Sequence, residues 1–194
     1  AFRHWPLLCY QAAVTSRFDS NLDKHGLYKL RTPNGVQWCT YAHGKKHGIC
    51  KTWQKNGTIA LECNYVDDKK HGPVTHYYPN GQIAEHYNCV HGLREGKYQH
   101  WYASGELLKQ GTYVNGLREG VVESWYVDGS RCDHCVYKGD RPVGEFRAWY
   151  PNGQQSDSRM YTTVGDREKG SVKMWRSNGA VDFEGCSTTY LLDI

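Results

Sequence analysis

The chain has 194 residues, 13% of them aromatic, with 24 Lys and Arg against 20 Asp and Glu and a formal net charge of +4. Acidic and basic residues are interspersed in nearly every turn, so no basic stripe of the kind that grips a nucleic acid is present. The longest apolar stretch, Trp5 to Val14, is broken by Pro6 and Gln11 and falls far short of the roughly 20 residues a membrane-spanning helix needs; no basic n-region with a cleavage site precedes it, so no secretory signal is visible.

Residues 1–23 come first. Leu7, Tyr10, Val14 and Phe18 fall at nearly helical spacing, and Asp19, Ser20 and Asn21 end the run. This reads as a short helical segment capping the first hairpin of a repeat array, because an open array needs its ends covered. A partner-binding anchor built from the same four residues is the competing reading.

From Gly26 the chain becomes periodic. Seven times it writes glycine, eight residues, glycine: Gly26/Gly35, Gly48/Gly57, Gly72/Gly81, Gly96/Gly105, Gly120/Gly129, Gly144/Gly153 and Gly170/Gly179. The leading glycines are 22, 24, 24, 24, 24 and 26 residues apart. A period of this size is the signature of a repeat array rather than of a globular enzyme.

Within each unit the second position after the leading glycine is Tyr28, Cys50, Val74, Tyr98, Val122, Phe146 or Val172. The fifth is Trp53, Tyr77, Trp101, Trp125, Trp149 or Trp175, with Arg31 breaking the rule in the first unit. Asn or Asp precedes the closing glycine in most units, as in Asn56-Gly57, Asn80-Gly81 and Asp128-Gly129. Such dipeptides between strand-like runs are a strong hairpin signal and predict type I′ turns, in which both central residues take positive φ. The chain then runs back through Tyr41, Tyr65, Cys89, Tyr113 and Tyr137 to a second, charged turn such as Asp67-Asp68-Lys69-Lys70.

Each unit is therefore a β-hairpin, and residues 24–187 form a meander of about fourteen short strands. Leu, Ile and Met are sparse, so the expected core is Trp, Tyr, Val and Cys. Glycine at a strand start suggests close approach by another group, and a ring from the adjacent strand lying across the bare backbone is the expected cause. The two extra residues of the last step, around Met160 to Asp166, predict a longer loop or a bulge. Strict alternation puts positions two and five on opposite faces; a bulge would bring them together, and the choice stays open at this point.

The unit Gly96 to Gly120, with Tyr98, Trp101, Tyr102, Gly105, Tyr113 and Asn115-Gly116, resembles a MORN repeat of the second subtype, which also occurs in bacterial proteins described as antitoxin-like. Cys135-Val136-Tyr137-Lys138 and Trp149-Tyr150-Pro151-Asn152-Gly153-Gln154 are similar to the MORN arrays of marseillevirus-type giant DNA viruses of amoebae. The resemblance implies an all-β, elongated single-layer antiparallel meander, a β-solenoid of about seven hairpins. Its repeat-defining residues here are Gly48, Gly57, Gly72, Gly81, Gly96, Gly105, Gly120, Gly129, Gly144 and Gly153, with the rings at position five.

Eight cysteines invite a disulfide or zinc reading. Cys39, Cys63 and Cys135 share one register, two strands or roughly 9.5 Å apart in successive hairpins. That exceeds the Cα reach of about 7 Å for a disulfide, so these residues read as small core hydrophobes in a chain that folds in a reducing compartment. Cys132-Asp133-His134-Cys135 has no second pair at finger-like spacing, and an ordinary strand is expected there. His76 and His100 share a register, as do His86 and His134, at spacings too wide for one ion; His47 and His71 read as solvated turn residues. No Gly-x-Ser-x-Gly, phosphate-cradling loop or His-Glu-x-x-His interrupts the repeat, so no catalytic residues, cofactor, metal or small-molecule substrate are expected.

Residues 188–194 form a short tail ending in Tyr190, Leu191, Leu192 and Ile194, expected to fold back or reach a neighbouring subunit. Rows of Trp and Tyr suit a protein interface. The expectation is a scaffolding module whose partners are other proteins, capsid proteins or a second copy, and the viral resemblance implies a minor virion component. Lys45-Lys46 and Lys69-Lys70 keep an acidic phospholipid surface as an alternative, and an antitoxin-like binder is a further one.

Overall fold

The computed structural model describes residues 24–164 and 167–187; the segment with Leu7, Tyr10, Val14 and Phe18 and the tail 188–194 lie outside these. Every glycine-to-glycine unit is a hairpin. The first joins β1 (Gly26–Thr32) to β2 (Gly35–Ala42), the second β3 (Lys45–Gln54) to β4 (Ile59–Val66), and the third β5 (Lys69–Tyr77) to β6 (Ile83–Val90). The fourth joins β7 (Leu93–Trp101) to β8 (Leu107–Val114), and the fifth β9 (Leu117–Trp125) to β10 (Arg131–Lys138). β11 (Arg141–Trp149) and β12 (Gln155–Val164) make the sixth, β13 (Arg167–Trp175) and β14 (Val181–Ser187) the seventh. All fourteen strands pair antiparallel, in chain order, in one open sheet.

The two kinds of turn are the reverse of what the Asn-Gly dipeptides suggest. Type I′ geometry belongs to the charged turns: Asp67 and Asp68 have φ of 49° and 66°, and Asn115 and Gly116 have 51° and 84°. In the turns that end at the closing glycines only the glycine is left-handed, as at Gly81 with φ 87°. There the Gly81 N–H donates to the Tyr78 carbonyl at 2.9 Å, and the Tyr78 N–H donates to that of Gln82 at 2.8 Å. This is a type I turn followed by a glycine bulge, for which Pro79 supplies the φ required at the first central position. Asn80 Oδ1 meanwhile accepts from the Gln82 N–H at 3.0 Å, which holds the turn closed.

The leading glycines answer to backbone conformation, not to a covering ring. A Cβ at Gly96, Gly120 or Gly144 would meet nothing within 4 Å, yet their φ values are 76°, 77° and 68°. Each lies in a bulge where one hairpin joins the next. Cys63 opposes Val74 while Tyr65 opposes Lys70, so the incoming strand spends two additional residues around Gly72. A side chain at positive φ costs roughly 1–2 kcal/mol, which is why glycine recurs there. The ring-over-glycine contact exists elsewhere, at Gly111, where a Cβ would lie 2.8 Å from the Tyr98 ring.

The unequal steps have the same origin in register. Gly26 sits opposite Tyr41 and Gly48 opposite Tyr65, so the first hairpin is two residues shorter, closing over Pro33 and Asn34. At the last junction the ladder from Asp157–Met174 to Val164–Arg167 runs without a register shift, and Gly170 has no positive φ. The two additional residues of that step lengthen β12 to 10 residues and replace the bulge.

The faces also separate. Cys50, Val74, Tyr98 and Val122, all at position two, are 0–2% exposed, and their cross-strand partners Cys63, Tyr87 and Cys135 are 2–5% exposed. This row is the core, and it lies on one face of the sheet. The expected tryptophans are not in it: alternation from position two puts Trp53, Trp101 and Trp125 on the other face, half-buried, and Trp38 is 39% exposed.

Candidate functional site

On the open face, position five builds a row of rings whose cross-strand partners are aliphatic in the second, third, fourth and seventh hairpins, with Arg131 opposite Trp125 and Gln155 opposite Trp149. Trp53 pairs with Ile59, Tyr77 with Ile83 and Trp101 with Leu107, and the row continues through Trp125, Trp149 and Trp175. All six rings are half-buried, while Ile83 is 41% exposed. At the first hairpin Trp38 packs on Trp53 with ring centroids 5.1 Å apart.

Hydrogen bonds at both margins hold consecutive hairpins at even spacing. Along the Asn-Gly margin the hydroxyls of Tyr78, Tyr102, Tyr126 and Tyr150 donate to the carbonyls of Trp101, Trp125, Trp149 and Trp175 at 2.7–3.0 Å. Asn80 Nδ2 adds a bond to the Ala103 carbonyl at 2.7 Å. Along the tight-turn margin Gly92 N–H donates to the Lys70 carbonyl and Gly116 N–H to that of Arg94, at 2.8 and 2.9 Å. The position-six tyrosines stand in the sequence directly after the ring of position five; only the register of the folded sheet shows that each reaches the following hairpin.

The core face carries a second row beside the buried one. Lys46 lies over the Tyr65 ring at 5.2 Å, Arg94 over Tyr87 at 4.1 Å and Arg118 over Tyr137 at 4.1 Å. Arg118 Nε also pairs with Asp140 Oδ1 at 2.7 Å, and this guanidinium draws the Asp140 carboxyl below the ordinary range. Burial pushes the Tyr65 and Tyr98 hydroxyls up to about 12, so both stay neutral donors at working pH.

His76 and His100 do share a neighbour. Glu85 stands between them in the register, with Oε2 at 4.0 Å from His76 Nε2 and Oε1 at 3.4 Å from His100 Nε2. Oε1 is closed from solvent and faces Arg94 Nη2 at 2.8 Å, close enough for an ion pair but off the axis of a hydrogen bond. Among the described residues no group of three His, Cys, Asp or Glu side chains could hold a metal ion. His86 Nδ1 meets Thr75 Oγ1 at 2.9 Å, and His134 Nδ1 meets Glu123 at 3.6 Å. His47 is exposed beside Asp67, whereas His71 is half-buried with its ring against His91.

The cysteines require a correction. Cys39 and Cys50 form a disulfide. They are not equivalent positions two strands apart but direct partners across β2 and β3, one strand spacing or about 4.8 Å away. Cys63 is the partner of Cys50 on its other side and is a free, buried thiol, as are Cys89 and Cys135. Cys132 is half-buried, and a register shift between Arg131 and Asp133 falls on it.

Three stretches, residues 46–67, 70–88 and 94–115, match the family described as MORN repeat variant. These stretches are similar to MORN repeats. Each begins at a tight turn and takes in one hairpin, the pairs β3–β4, β5–β6 and β7–β8. Repeats of that kind are generally modules of protein or membrane interaction, and the three matched stretches carry the rings Trp53, Tyr77 and Trp101 on one face. No curated protein matches the chain.

Proposed function

We propose that the chain is a non-catalytic scaffold that binds another protein across its tryptophan face. The observation that carries this is the row of six half-buried rings, evenly spaced and left uncovered by any described element of the sheet. Trp and Tyr bury large areas at low entropic cost and recur as interface anchors. The finer setting, a minor component of a giant-virus virion, rests on the likeness of residues 135–138 and 149–154 to viral MORN arrays.

The competing surface is anionic lipid at the core-face cations. Arg94 and Arg118 each already face a carboxylate, Glu85 and Asp140, which weakens that attraction. The test compares Ile83→Glu with Lys46→Glu combined with Lys70→Glu. Loss of a co-purifying protein with the first substitution alone supports the scaffold reading. Sedimentation with phosphatidylserine vesicles at physiological salt, abolished by the lysine substitutions, would replace it with the lipid reading; a cognate toxin as the bound protein would mark the antitoxin-like role.

A further inference from the structure

We infer that Cys39, Cys50 and Cys63 form an exchange relay, in which the Cys63 thiolate displaces Cys39 from the disulfide and so releases the first hairpin from the second. The inference is independent of the ring face and adds a covalent switch at one end of the array.

The first observation is the row itself. Cys50 on β3 stands directly opposite Cys39 on β2 and directly opposite Cys63 on β4, and the three are buried together in the core at 1%, 1% and 2% exposure. A thiolate attacks a disulfide sulfur along the S–S axis, from the side away from the sulfur that leaves. With Cys50 on the middle strand, Cys39 on one side and Cys63 on the other, the register provides that approach. The other buried free thiols have no cysteine opposite them: Cys89 faces Gly72 and Arg94, and Cys135 faces Val122.

The second observation is what each bond would join. Cys39–Cys50 bridges the junction between the first two hairpins, whereas a Cys50–Cys63 bond lies wholly within the second. At later junctions the hydroxyls of Tyr78, Tyr102, Tyr126 and Tyr150 tie one hairpin to the next. In the first hairpin that position is Thr32, whose hydroxyl turns back to the Gly35 carbonyl of its own turn at 3.2 Å. The disulfide therefore ties the one junction at which exchange would free a terminal hairpin.

The step balances within the chain. The Cys63 thiol gives its proton to solvent, the Cys63–Cys50 bond forms as Cys39–Cys50 breaks, and Cys39 leaves as a thiolate that takes a proton back. No oxidant or reductant is consumed. Burial holds the Cys63 thiol above its ordinary value, while Lys70, a hydrogen bond with Tyr65 and Lys46 oppose that rise. The thiolate is thus the scarce species at neutral pH, and exchange quickens as pH rises.

The experiment holds the oxidised full chain at pH values from about 7 to about 9, quenches with acid, alkylates the unfolded chain under mildly acidic conditions and maps the cross-linked peptides. A minor Cys50–Cys63 species with Cys39 alkylated is expected, appearing about tenfold faster per pH unit and at a rate unchanged by dilution. Cys63→Ser is expected to abolish it. Cys39→Ser, which can close only Cys50–Cys63 in this row, is expected to speed hydrogen exchange at the β1 and β2 amides about tenfold relative to Cys63→Ser. Should Cys39→Ser unfold, the pH series on the unaltered chain still decides. Absence of a Cys50–Cys63 bond at every pH would overturn the inference. Cross-links to Cys89 or Cys135 in equal amount would do so too, because they mark exchange through the unfolded chain, and so would equal hydrogen exchange in the two variants.

Discussion

The hydroxyl of Tyr78 donates to the carbonyl of Trp101, 23 residues further along the chain, at 2.7 Å. The bond recurs from Tyr102 to Trp125, also 23 residues on, and it ties each hairpin to the next at the end where their strands would otherwise diverge. Tyr102→Phe keeps the ring and removes one bond, with an expected loss of about 1 kcal/mol. Urea denaturation measures it. Tyr77→Phe, whose hydroxyl makes no such bond, is the control and is expected to change stability less.

Gly120 separates conformational cause from steric cause. Its φ is 77° and a Cβ there meets nothing within 4 Å, so Gly120→Ala is expected to cost roughly 1–2 kcal/mol through backbone strain alone. Gly120→Asn should cost less, because Asn tolerates the left-handed region. Gly111→Ala is different in kind. It drives a methyl against the Tyr98 ring, and about 1–3 kcal/mol of overpacking is expected, with Tyr98→Leu partly restoring the loss. Thermal midpoints of the single and double variants decide both cases.

The disulfide closes a short loop between hairpins. Peptide mapping of protein purified without reductant is expected to recover Cys39 joined to Cys50 and to leave Cys63 alkylated as a free thiol. Cross-linking a loop of this size restricts the unfolded chain, so reduction is expected to remove about 3 kcal/mol. Recovery of Cys50 joined to Cys63 would show that the two strand neighbours of Cys50 are exchanged.

Acid is expected to destabilise the sheet through its histidines before its carboxylates. Burial lowers the pKa of His76 and of His100 below 6.5; Arg94 adds to this for both, Lys70 for His76 and Lys109 for His100, while Glu85 opposes it. The unfolded chain therefore takes up these protons first. Stability from the neutral rings is complete above pH 6.5 and declines as pH falls through the lowered folded values. Replacing both with Gln is expected to flatten the fall of the unfolding midpoint below pH 6.5. An unchanged pH profile would remove this role.

Glycine and asparagine punctuation made the hairpins legible in advance, because a glycine-to-glycine unit of strand formers has few other ways to fold. Turn chemistry was less legible. Asn80-Gly81 suits either a type I′ turn or a type I turn with a glycine bulge, and although Pro79 fits the second, the same turn closes at Gly57, Gly105 and Gly129 with Lys55, Ala103 and Val127 in its place, so no one residue announces it. The bulge at Gly72 was hidden because its signal is a register, visible only when Cys63 and Val74 are seen opposite each other. The same register was needed to see that Cys39 meets Cys50 rather than Cys63. In the candidate site, Trp53 to Trp175 were marked by their period, while Tyr78 and Glu85 were missed because their partners lie in neighbouring strands far along the chain.

Site-specific photo-cross-linking in the native assembly tests the choice of face most directly. A photoreactive residue placed at Ile83 or Val121 reports on the tryptophan face, and one at Lys46 or Lys70 reports on the core face. Protein adducts from Ile83 and Val121, with none from the lysine positions, are the expected result. Adducts confined to Lys46 and Lys70, or made to lipid, would contradict the assignment of the tryptophan face as the binding surface.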